Sequence, residues 1–193
     1  MALYLISGGP GAGKTTLLAA LRQAGFAGTD EVSRQLIREQ VALGSRLVPW
    51  HDLAGFAELA LGRMVAQHAA ATQRGGPTFF DRGLPDLIAY LRVAGLPVAP
   101  AYYRALAECP YAPLAFLAPP WPEIYVNDPE RWQTPAEAAA LYEALHATYE
   151  AAGFDVRVLP RAAVATRVAY VRAAIGAGNG PEPGRATFAP EQA

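Results

Sequence analysis

Short apolar runs alternate along the chain with longer stretches in which apolar residues recur at helical spacing. Residues 3–6 are continuously apolar and are followed by Ser7-Gly8-Gly9, a pattern typical of a strand that is buried on both faces. Four further short runs predict four more strands, at 26–29, 78–80, 114–117 and 155–159. The stretches between these runs are long enough to hold the crossover helices that parallel strands require.

Helical periodicity is clearest in residues 52–73. Six residues there fall on one face of a helix and are expected to face the core: Leu53, Phe56, Ala57, Ala60, Met64 and His68. The remaining periodic stretches predict further helices at 13–24, 31–41, 85–94, 100–108, 135–152 and 162–175. This alternation predicts an α/β fold, a three-layer sandwich built on a five-stranded, mainly parallel sheet.

The length and the placement of glycine and proline predict one domain followed by a tail. A chain of 193 residues has the size of a single domain, which we assign to residues 1–175. Residues 176–193 are rich in glycine and proline and have no apolar period. We therefore expect the tail to be disordered.

Composition narrows the class of protein. Hydrophobic residues make up 52% of the chain, yet no apolar run approaches the roughly 20 residues that a membrane span needs. The formal net charge is −1 and there is no run of Lys or Arg, so we expect no nucleic-acid partner. The N-terminus has no basic region ahead of its apolar run, so we expect no signal peptide and a cytoplasmic protein. The single cysteine, Cys109, excludes an internal disulfide and a cysteine zinc cluster.

The glycine-rich segment between the first strand and the first helix carries the strongest chemical signal. It matches the phosphate-loop pattern G-x-x-x-x-G-K-[ST] at every fixed position. Its residues are Gly8, Gly9, Pro10, Gly11, Ala12, Gly13, Lys14 and Thr15. Glycines let successive backbone N–H groups turn toward an oxyanion, and the following helix adds the positive end of its dipole. The pattern predicts that the chain binds a nucleoside triphosphate.

Three side chains in and beside this loop have predicted roles. Lys14 reaches the β- and γ-phosphates, Thr15 is placed to bind Mg²⁺, and Thr16 bonds an α-phosphate oxygen or caps the helix. Lys14 is the single lysine among 16 basic residues, and the rest are arginines. A chain that otherwise uses arginine thus keeps a compact ammonium where the phosphates require one.

A second candidate, Asp81, directly follows the apolar strand 78–80. It should emerge at the carboxyl edge of the sheet, where open α/β sheets bind ligands. A hydrophobic strand that ends in Asp is also the Walker B pattern, in which the acid holds Mg²⁺. The sequence leaves open whether Asp81 is a base, a metal ligand or a turn residue that caps a helix. Arg82 beside it is suited to bind an acceptor or a phosphate oxygen through both arms of its guanidinium.

Other charged residues are candidates for contact with a second substrate. Glu31 and Arg34 share one helix face near the ligand edge, where they recognise an acceptor or form an ordinary surface ion pair. Asp86 is either a second acid of the pocket or a first-turn residue that serves the helix dipole. The irregular, aromatic segment 118–134 lies where nucleotide kinases carry a lid, and Arg131 is its candidate for the arginine that closes over the phosphoryl group.

These motifs together resemble a kinase-like P-loop family of predicted AAA-type ATPase domains. The similarity covers nearly all of residues 3–172 and rests on four segments, at 6–17, 31–34, 80–86 and 123–131. The family includes a nicotinamide riboside kinase domain, and the chain looks most similar to its short, stand-alone bacterial members. The resemblance implies a thymidylate-kinase-like sheet in which the Asp81 strand lies beside the phosphate-loop strand.

Two hypotheses about function follow. In the first, the chain is a kinase that uses ATP and Mg²⁺ to phosphorylate a small nucleoside- or nucleotide-like acceptor. Its catalytic residues are then Lys14, Asp81, Arg82 and Arg131. In the second, the chain is a switch or regulator that binds and hydrolyses a nucleoside triphosphate and acts through a partner. The sequence contains no base-reading motif, so GTP is not excluded, and it identifies no protein partner.

Overall fold

A computed structural model describes residues 2–124 and 135–177 of the chain. Within these ranges five strands form one sheet: β1 Leu3–Gly8, β2 Ala27–Gly28, β3 Thr78–Asp81, β4 Leu114–Ala118 and β5 Asp155–Val158. The helices of the same ranges are α1 Lys14–Gln23, α2 Val32–Ala42, α3 Leu53–Arg74, α4 Leu84–Val93, α5 Pro100–Glu108, α6 Pro135–Ala151 and α7 Val164–Ala177. A short 3₁₀ turn, Pro122–Ile124, follows β4.

The sheet has the strand order β2-β3-β1-β4-β5, and every neighbouring pair is parallel. All six residues of β1 are buried, as expected for a central strand covered on both faces. The predicted three-layer α/β sandwich is confirmed, and β3, which ends in Asp81, pairs directly with β1. The loops after β1 and β3 therefore leave the same edge of the sheet side by side.

Alternate side chains of β1 pack into opposite layers, because successive residues of a strand point to opposite faces. Tyr4 and Ile6 join a cluster with Leu17, Leu18 and Leu21 of α1 and with Val171 of α7. Leu3 and Leu5 belong to the other side, where α6 contributes Leu141, Leu145 and Tyr149. A third cluster fills the space between α2, α3 and α4.

The predicted inward face of α3 is largely confirmed. Five of its six residues are buried: Phe56, Ala57, Ala60, Met64 and His68. Leu53, at the first position of the helix, is partly buried and packs against the cluster between α2, α3 and α4. The apolar spacing thus identified the face that packs on α4.

Each strand and α-helix boundary lies within two residues of the predicted one. The strand predicted at 26–29 is reduced to Ala27–Gly28, because the Phe26 N–H donates to the Leu21 carbonyl and closes the end of α1 instead of joining the sheet. Helix α7 extends to Ala177, two residues past the predicted end. Residues 178–193 of the predicted tail and residues 125–134 of the predicted lid lie outside the described residues. In the part of the chain that the structure describes, none of the helices has the length and apolar character to cross a membrane.

Candidate functional site

The phosphate loop runs from the end of β1 to the first residue of α1 and is held in a narrow space. Gly8 has a φ of 134°, and a Cβ there would collide with the backbone oxygen of Ala118 on β4. Gly13 precedes α1 with a φ of 75°, in the left-handed region that favours glycine. The glycines of the motif are therefore required by the backbone path and by the close approach of β4.

Lys14 folds back over the loop. Its Nζ donates to the carbonyl oxygens of Gly8 at 2.9 Å and Gly9 at 2.8 Å, and the side chain is buried. Burial, together with the nearby charge of Arg82, lowers the pKa of Lys14 to about 8. The ammonium thus lies at the phosphate loop, where two backbone carbonyls accept its hydrogen bonds.

Asp81 lies at the carboxyl end of β3, in register with Ile6 of β1. Its side chain is buried, and among the described residues Oδ1 has no hydrogen-bond partner. Burial raises the pKa of Asp81 to about 6 against the opposing charge of Lys14. A buried carboxylate oxygen with an open acceptor position is suited to a cation.

The oxygens near the phosphate loop fit a magnesium ion. Thr15 and Thr16 are exposed at the start of α1 and line the cavity described below. Hydroxyl and carboxylate oxygens are the ligands that Mg²⁺ prefers, and Asp81, with its unpartnered Oδ1, is near enough to Lys14 of the loop for their charges to interact. Thr15 and Asp81 are thus a chemically suitable pair for the predicted metal.

Arg82 connects the phosphate loop to the start of α2. Its Nη1 donates to the Gly8 carbonyl at 3.0 Å and to Asp86 Oδ1 at 3.3 Å, while Nε donates to Glu31 Oε1 at 2.8 Å. Arg82 is the one non-glycine residue of the described ranges with a positive φ, 68°. A bulky residue in this conformation costs about 1–3 kcal/mol, and such strain tends to occur at functional sites.

Glu31 is the acid of the site whose pKa is shifted in the direction opposite to that of Asp81. It precedes α2 and forms ion pairs with Arg82 and, at 3.5 Å, with Arg34. Burial raises the pKa of Glu31, but the charges of Arg82 and Lys14 and the hydrogen bond from Arg82 outweigh it and lower the pKa to about 2. Asp81 and Glu31 therefore lie close to the same two cations with their pKa values shifted in opposite directions.

Asp86 is surrounded by protein donors. Its Oδ1 accepts from Ser7 Oγ at 2.6 Å and from Arg82, and its Oδ2 accepts from Tyr149 Oη at 2.6 Å and from the Gly83 N–H at 2.9 Å. The side chain is 1% exposed. This network ties the end of β1, the start of α4 and the interior of α6 to the guanidinium of Arg82.

A single cavity of about 830 Å³ joins two kinds of surface. At one end lie the phosphate loop and the start of α1. At the other end lies an apolar wall formed mainly by α2, α3 and α4, with the residues Ile37, Pro49, Leu53, Phe56, Leu87 and Val93. Glu31, Arg34, Arg82 and Tyr90 also line this cavity. Its volume is that of a site for small molecules.

The structure brings most of the predicted site residues together. Glu31, Arg34 and Arg82 line the cavity with the loop residues from Pro10 to Thr16. Asp81 and Asp86 are buried behind this lining. Arg131 lies outside the described residues.

A comparison of the sequence with protein families matches the AAA domain family over residues 3–167. The chain belongs to this family. The expectation of a kinase-like P-loop NTPase is confirmed at the level of family and fold. A search of curated proteins finds no significant match.

Solved structures resemble this AAA domain in fold. The deoxyadenosine kinase of M. mycoides with bound dCTP has a TM-score of 0.62 and 14% identity, over 92% of this chain and 100% of the kinase. A NadR protein in complex with NR has a TM-score of 0.66 and 20% identity, over 97% of this chain and 54% of NadR. The shikimate kinase of Acinetobacter baumannii with shikimate has a TM-score of 0.56 and 14% identity, over 94% of this chain and 96% of the kinase. These proteins share the architecture of small-molecule P-loop kinases.

Several residues of the AAA domain site were not predicted from the sequence. Ser7 and Tyr149 hold Asp86, and Arg167 on α7 contacts the phosphate loop. One signal was available for Arg167, because it lies one helical turn before the buried Val171 and so falls on the inward face of its helix. Ser7 and Tyr149 carry no comparable signal, since their roles depend on contacts between distant parts of the chain.

Proposed function

We propose that the chain transfers the γ-phosphate of ATP to a hydroxyl group of a small, ring-bearing acceptor of the nucleoside or nucleotide type. The observation that carries this proposal is the bridge formed by Arg82. One guanidinium nitrogen bonds Gly8 of the phosphate loop and another bonds Glu31, which lines the same cavity as the apolar wall. A phosphate donor and an acceptor bound at the two ends would meet at this bridge.

The donor end is built for a polyphosphate. The backbone N–H groups of the loop and the start of α1 offer hydrogen-bond donors and a positive dipole end. Lys14 supplies a compact charge that exchanges its two carbonyl contacts for the β- and γ-phosphate oxygens. Phosphoryl transfer needs mainly this positioning and neutralisation of charge.

Mg²⁺ is assigned to Thr15 and Asp81. When bound, the ion neutralises charge on the phosphates and orients them for in-line transfer. The open Oδ1 of Asp81 supports the assignment of this acid to the metal, and Glu31 is then left for the acceptor. Of the three roles that the sequence leaves open for Asp81, the proposal takes that of a metal ligand.

Glu31 orients the acceptor. Its carboxylate accepts a hydrogen bond from the acceptor hydroxyl and receives the proton as the oxygen forms its bond to the γ-phosphorus and the bond to the β-phosphate oxygen breaks. A low pKa suits this role, because the carboxylate stays ionised and the loose transition state depends more on orientation than on base strength. Arg82 keeps Glu31 in place and holds it next to the phosphate loop.

The apolar wall supports an acceptor with a flat or aliphatic ring. Apolar side chains of α2, α3 and α4 offer area for a ring system, and the charged side chains of Glu31, Arg34 and Arg82 line the same cavity. Solved relatives of this fold contain dCTP, NR and shikimate, which fits a site that takes ring compounds. We therefore choose nucleosides and related ring compounds as the test acceptors.

The test is nucleotide turnover with a panel of acceptors. Purified protein is incubated with MgATP or MgGTP and with nucleosides, nucleotides, ribosides and shikimate, and both nucleoside diphosphate and phosphorylated acceptor are measured. We expect diphosphate release that depends on one acceptor class and equals the phosphorylated acceptor formed. Turnover that no acceptor changes would instead favour the switch or regulator, which hydrolyses its nucleotide and acts through a partner.

A further inference from the structure

Arg167 on α7 is a buried cation that contacts the phosphate loop. Its Nη1 donates to the Gly13 carbonyl and its Nη2 donates to the Ala12 carbonyl, both at 3.2 Å. The side chain is 3% exposed, and Nε is buried with no hydrogen-bond partner among the described residues. Its guanidinium carbon lies 5.8 Å from the centre of the Trp121 ring.

The two carbonyl contacts set the direction of two backbone donors. In a trans peptide the C=O of one residue and the N–H of the next point in opposite directions. The described residues contain no cis peptide bond. By holding the carbonyls of Ala12 and Gly13, Arg167 therefore turns the N–H groups of Gly13 and Lys14 away from itself and toward the inside of the loop. These N–H groups belong to the set that phosphate-binding loops use.

The first hydrogen bond of α1 points to the same arrangement. The Leu17 N–H donates to the Gly13 carbonyl at 3.2 Å, so this oxygen accepts from both the helix and Arg167. Gly13 also lacks the space for a side chain, because a Cβ would lie 2.6 Å from Nη1 of Arg167. The guanidinium of Arg167 therefore packs directly against the backbone of Gly13.

Among the residues that the structure describes, the charge of Arg167 has no acidic counterpart. Within the ranges that the structure describes, no Asp or Glu lies at ion-pair distance from its guanidinium. A buried charge that is balanced only by carbonyl dipoles and an aromatic face is costly, and a nearby anion would offset the cost. Arg167 lines the cavity on the phosphate-loop side, so an oxyanion bound in the loop would supply that charge.

We infer that Arg167 is a positioning residue of the phosphate loop: it fixes the Gly13 and Lys14 amides toward a bound di- or triphosphate and supplies a second buried positive charge there. The inference rests on the nucleotide-binding half of the proposed function and not on phosphoryl transfer. It assigns to the last helix of the domain a direct influence on phosphate affinity. Sequence motifs of the loop itself give no indication of this residue.

The test measures the affinity of the full chain for ATP, ADP and AMP by titration calorimetry in three variants. Arg167→Met removes the charge and both donors at similar length. Arg167→Lys keeps the charge but has no planar pair of donors. Val171→Ala is the matched control, because Val171 is fully buried one turn further along α7, packs in the same cluster as α1, and carries neither a charge nor a side-chain hydrogen-bond donor.

The expected pattern is a loss of affinity that depends on the β-phosphate. Arg167→Met weakens the binding of ATP and ADP by about tenfold, the size typical of lost charge-assisted hydrogen bonds, and leaves AMP affinity nearly unchanged. Arg167→Lys shows a smaller loss of affinity for ATP and ADP, and its affinity for AMP is also nearly unchanged. Val171→Ala lowers the melting temperature but retains the affinity of the wild-type protein for all three nucleotides.

Three results would overturn the inference. They are wild-type affinity of Arg167→Met for ATP and ADP, an equal loss for AMP, or an equal loss in Val171→Ala. If Arg167→Met does not fold, the increase in melting temperature produced by ATP is compared between Arg167→Lys and the wild-type protein, and an equal increase overturns the inference. A wild-type protein that binds ATP in this assay but phosphorylates no acceptor would contradict the proposed function and leave the role of Arg167 intact.

Discussion

The two ends of the cavity are built in different ways. The phosphate loop is one continuous segment of backbone, and eight neighbouring residues at fixed spacing determine its path. The apolar wall is assembled from three helices whose lining residues extend from Ile37 to Val93 along the chain. The first end uses backbone donors and a helix dipole. These groups bind phosphate oxygens, which every nucleoside triphosphate carries. The second end uses side chains, and in the proposed function its shape sets which acceptor is bound.

The largest effect is expected at the donor end, from Lys14→Arg. This change keeps the positive charge, but Nζ of Lys14 fits between the carbonyls of Gly8 and Gly9 in a buried position that a broad guanidinium does not fit. We expect kcat/KM to fall by at least about 100-fold, as for the loss of one essential charge-stabilising donor. Steady-state turnover with saturating acceptor measures the change.

Arg63→Lys is the control for this prediction. It makes the reverse exchange at an exposed position, where Arg63 pairs with Glu39. Such a surface change shifts stability by less than about 0.5 kcal/mol, and turnover should be normal. Near-normal turnover in folded Lys14→Arg would show that the donor end does not depend on a compact ammonium.

The next largest effects separate the two acids. Asp81→Asn should lower kcat by about 100-fold and raise the Mg²⁺ concentration needed for half-maximal rate, because the amide is a weaker ligand than the carboxylate. Glu31→Gln should lower kcat/KM for the acceptor by a similar or smaller factor with an unchanged Mg²⁺ requirement. Titration of the rate with Mg²⁺ and with acceptor in each variant measures both effects.

This pair of variants places each acid at one end of the cavity. If the Mg²⁺ requirement rises in Glu31→Gln and not in Asp81→Asn, the two assignments are reversed. If both variants change only the acceptor constants, Asp81 acts on the acceptor and the metal assignment fails. Unchanged melting temperatures would show that the kinetic effects do not come from loss of fold.

The smallest effect is expected at the apolar wall, from Ile37→Ala. Ile37 on α2 is partly buried and lines the acceptor end of the cavity. Removal of its outer carbons should raise the acceptor KM about tenfold, from roughly 0.8 kcal/mol per buried methylene, and leave the ATP KM unchanged. Val41→Ala on the same helix is the matched control, because Val41 is 57% exposed. An equal change in the ATP KM would mean that the two ends are not separate binding surfaces.

The fold was predicted from the sequence because its elements leave local signals. Continuous apolar runs identified strands such as β1 and β4, and the spacing of residues such as Phe56, Ala60 and Met64 identified the buried face of α3. The phosphate loop was predicted because its residues are contiguous. The length of β2 was not predicted. The Phe26 N–H donates to the end of α1, and the composition of the segment does not indicate this hydrogen bond.

The rest of the site depends on contacts between distant segments. Asp86 looked like a pocket acid or a helix-dipole residue, and its four protein donors include Ser7 and Tyr149, 79 and 63 positions away. Arg167 contacts Ala12 across 155 positions. The opposite pKa shifts of Asp81 and Glu31 likewise arise from burial and from shared cations that a single sequence does not reveal.

The central claim is that one cavity brings a nucleoside triphosphate and an acceptor hydroxyl together, and the most direct measurement follows the γ-phosphate itself. The protein is supplied with γ-labelled ATP, Mg²⁺ and the acceptor panel, and the label is located in inorganic phosphate or in an acceptor. Our account predicts label on the hydroxyl of a ring-bearing acceptor, in amounts equal to the ADP formed and absent in Lys14→Arg. Label found only in inorganic phosphate, at a rate that no acceptor changes, would contradict it.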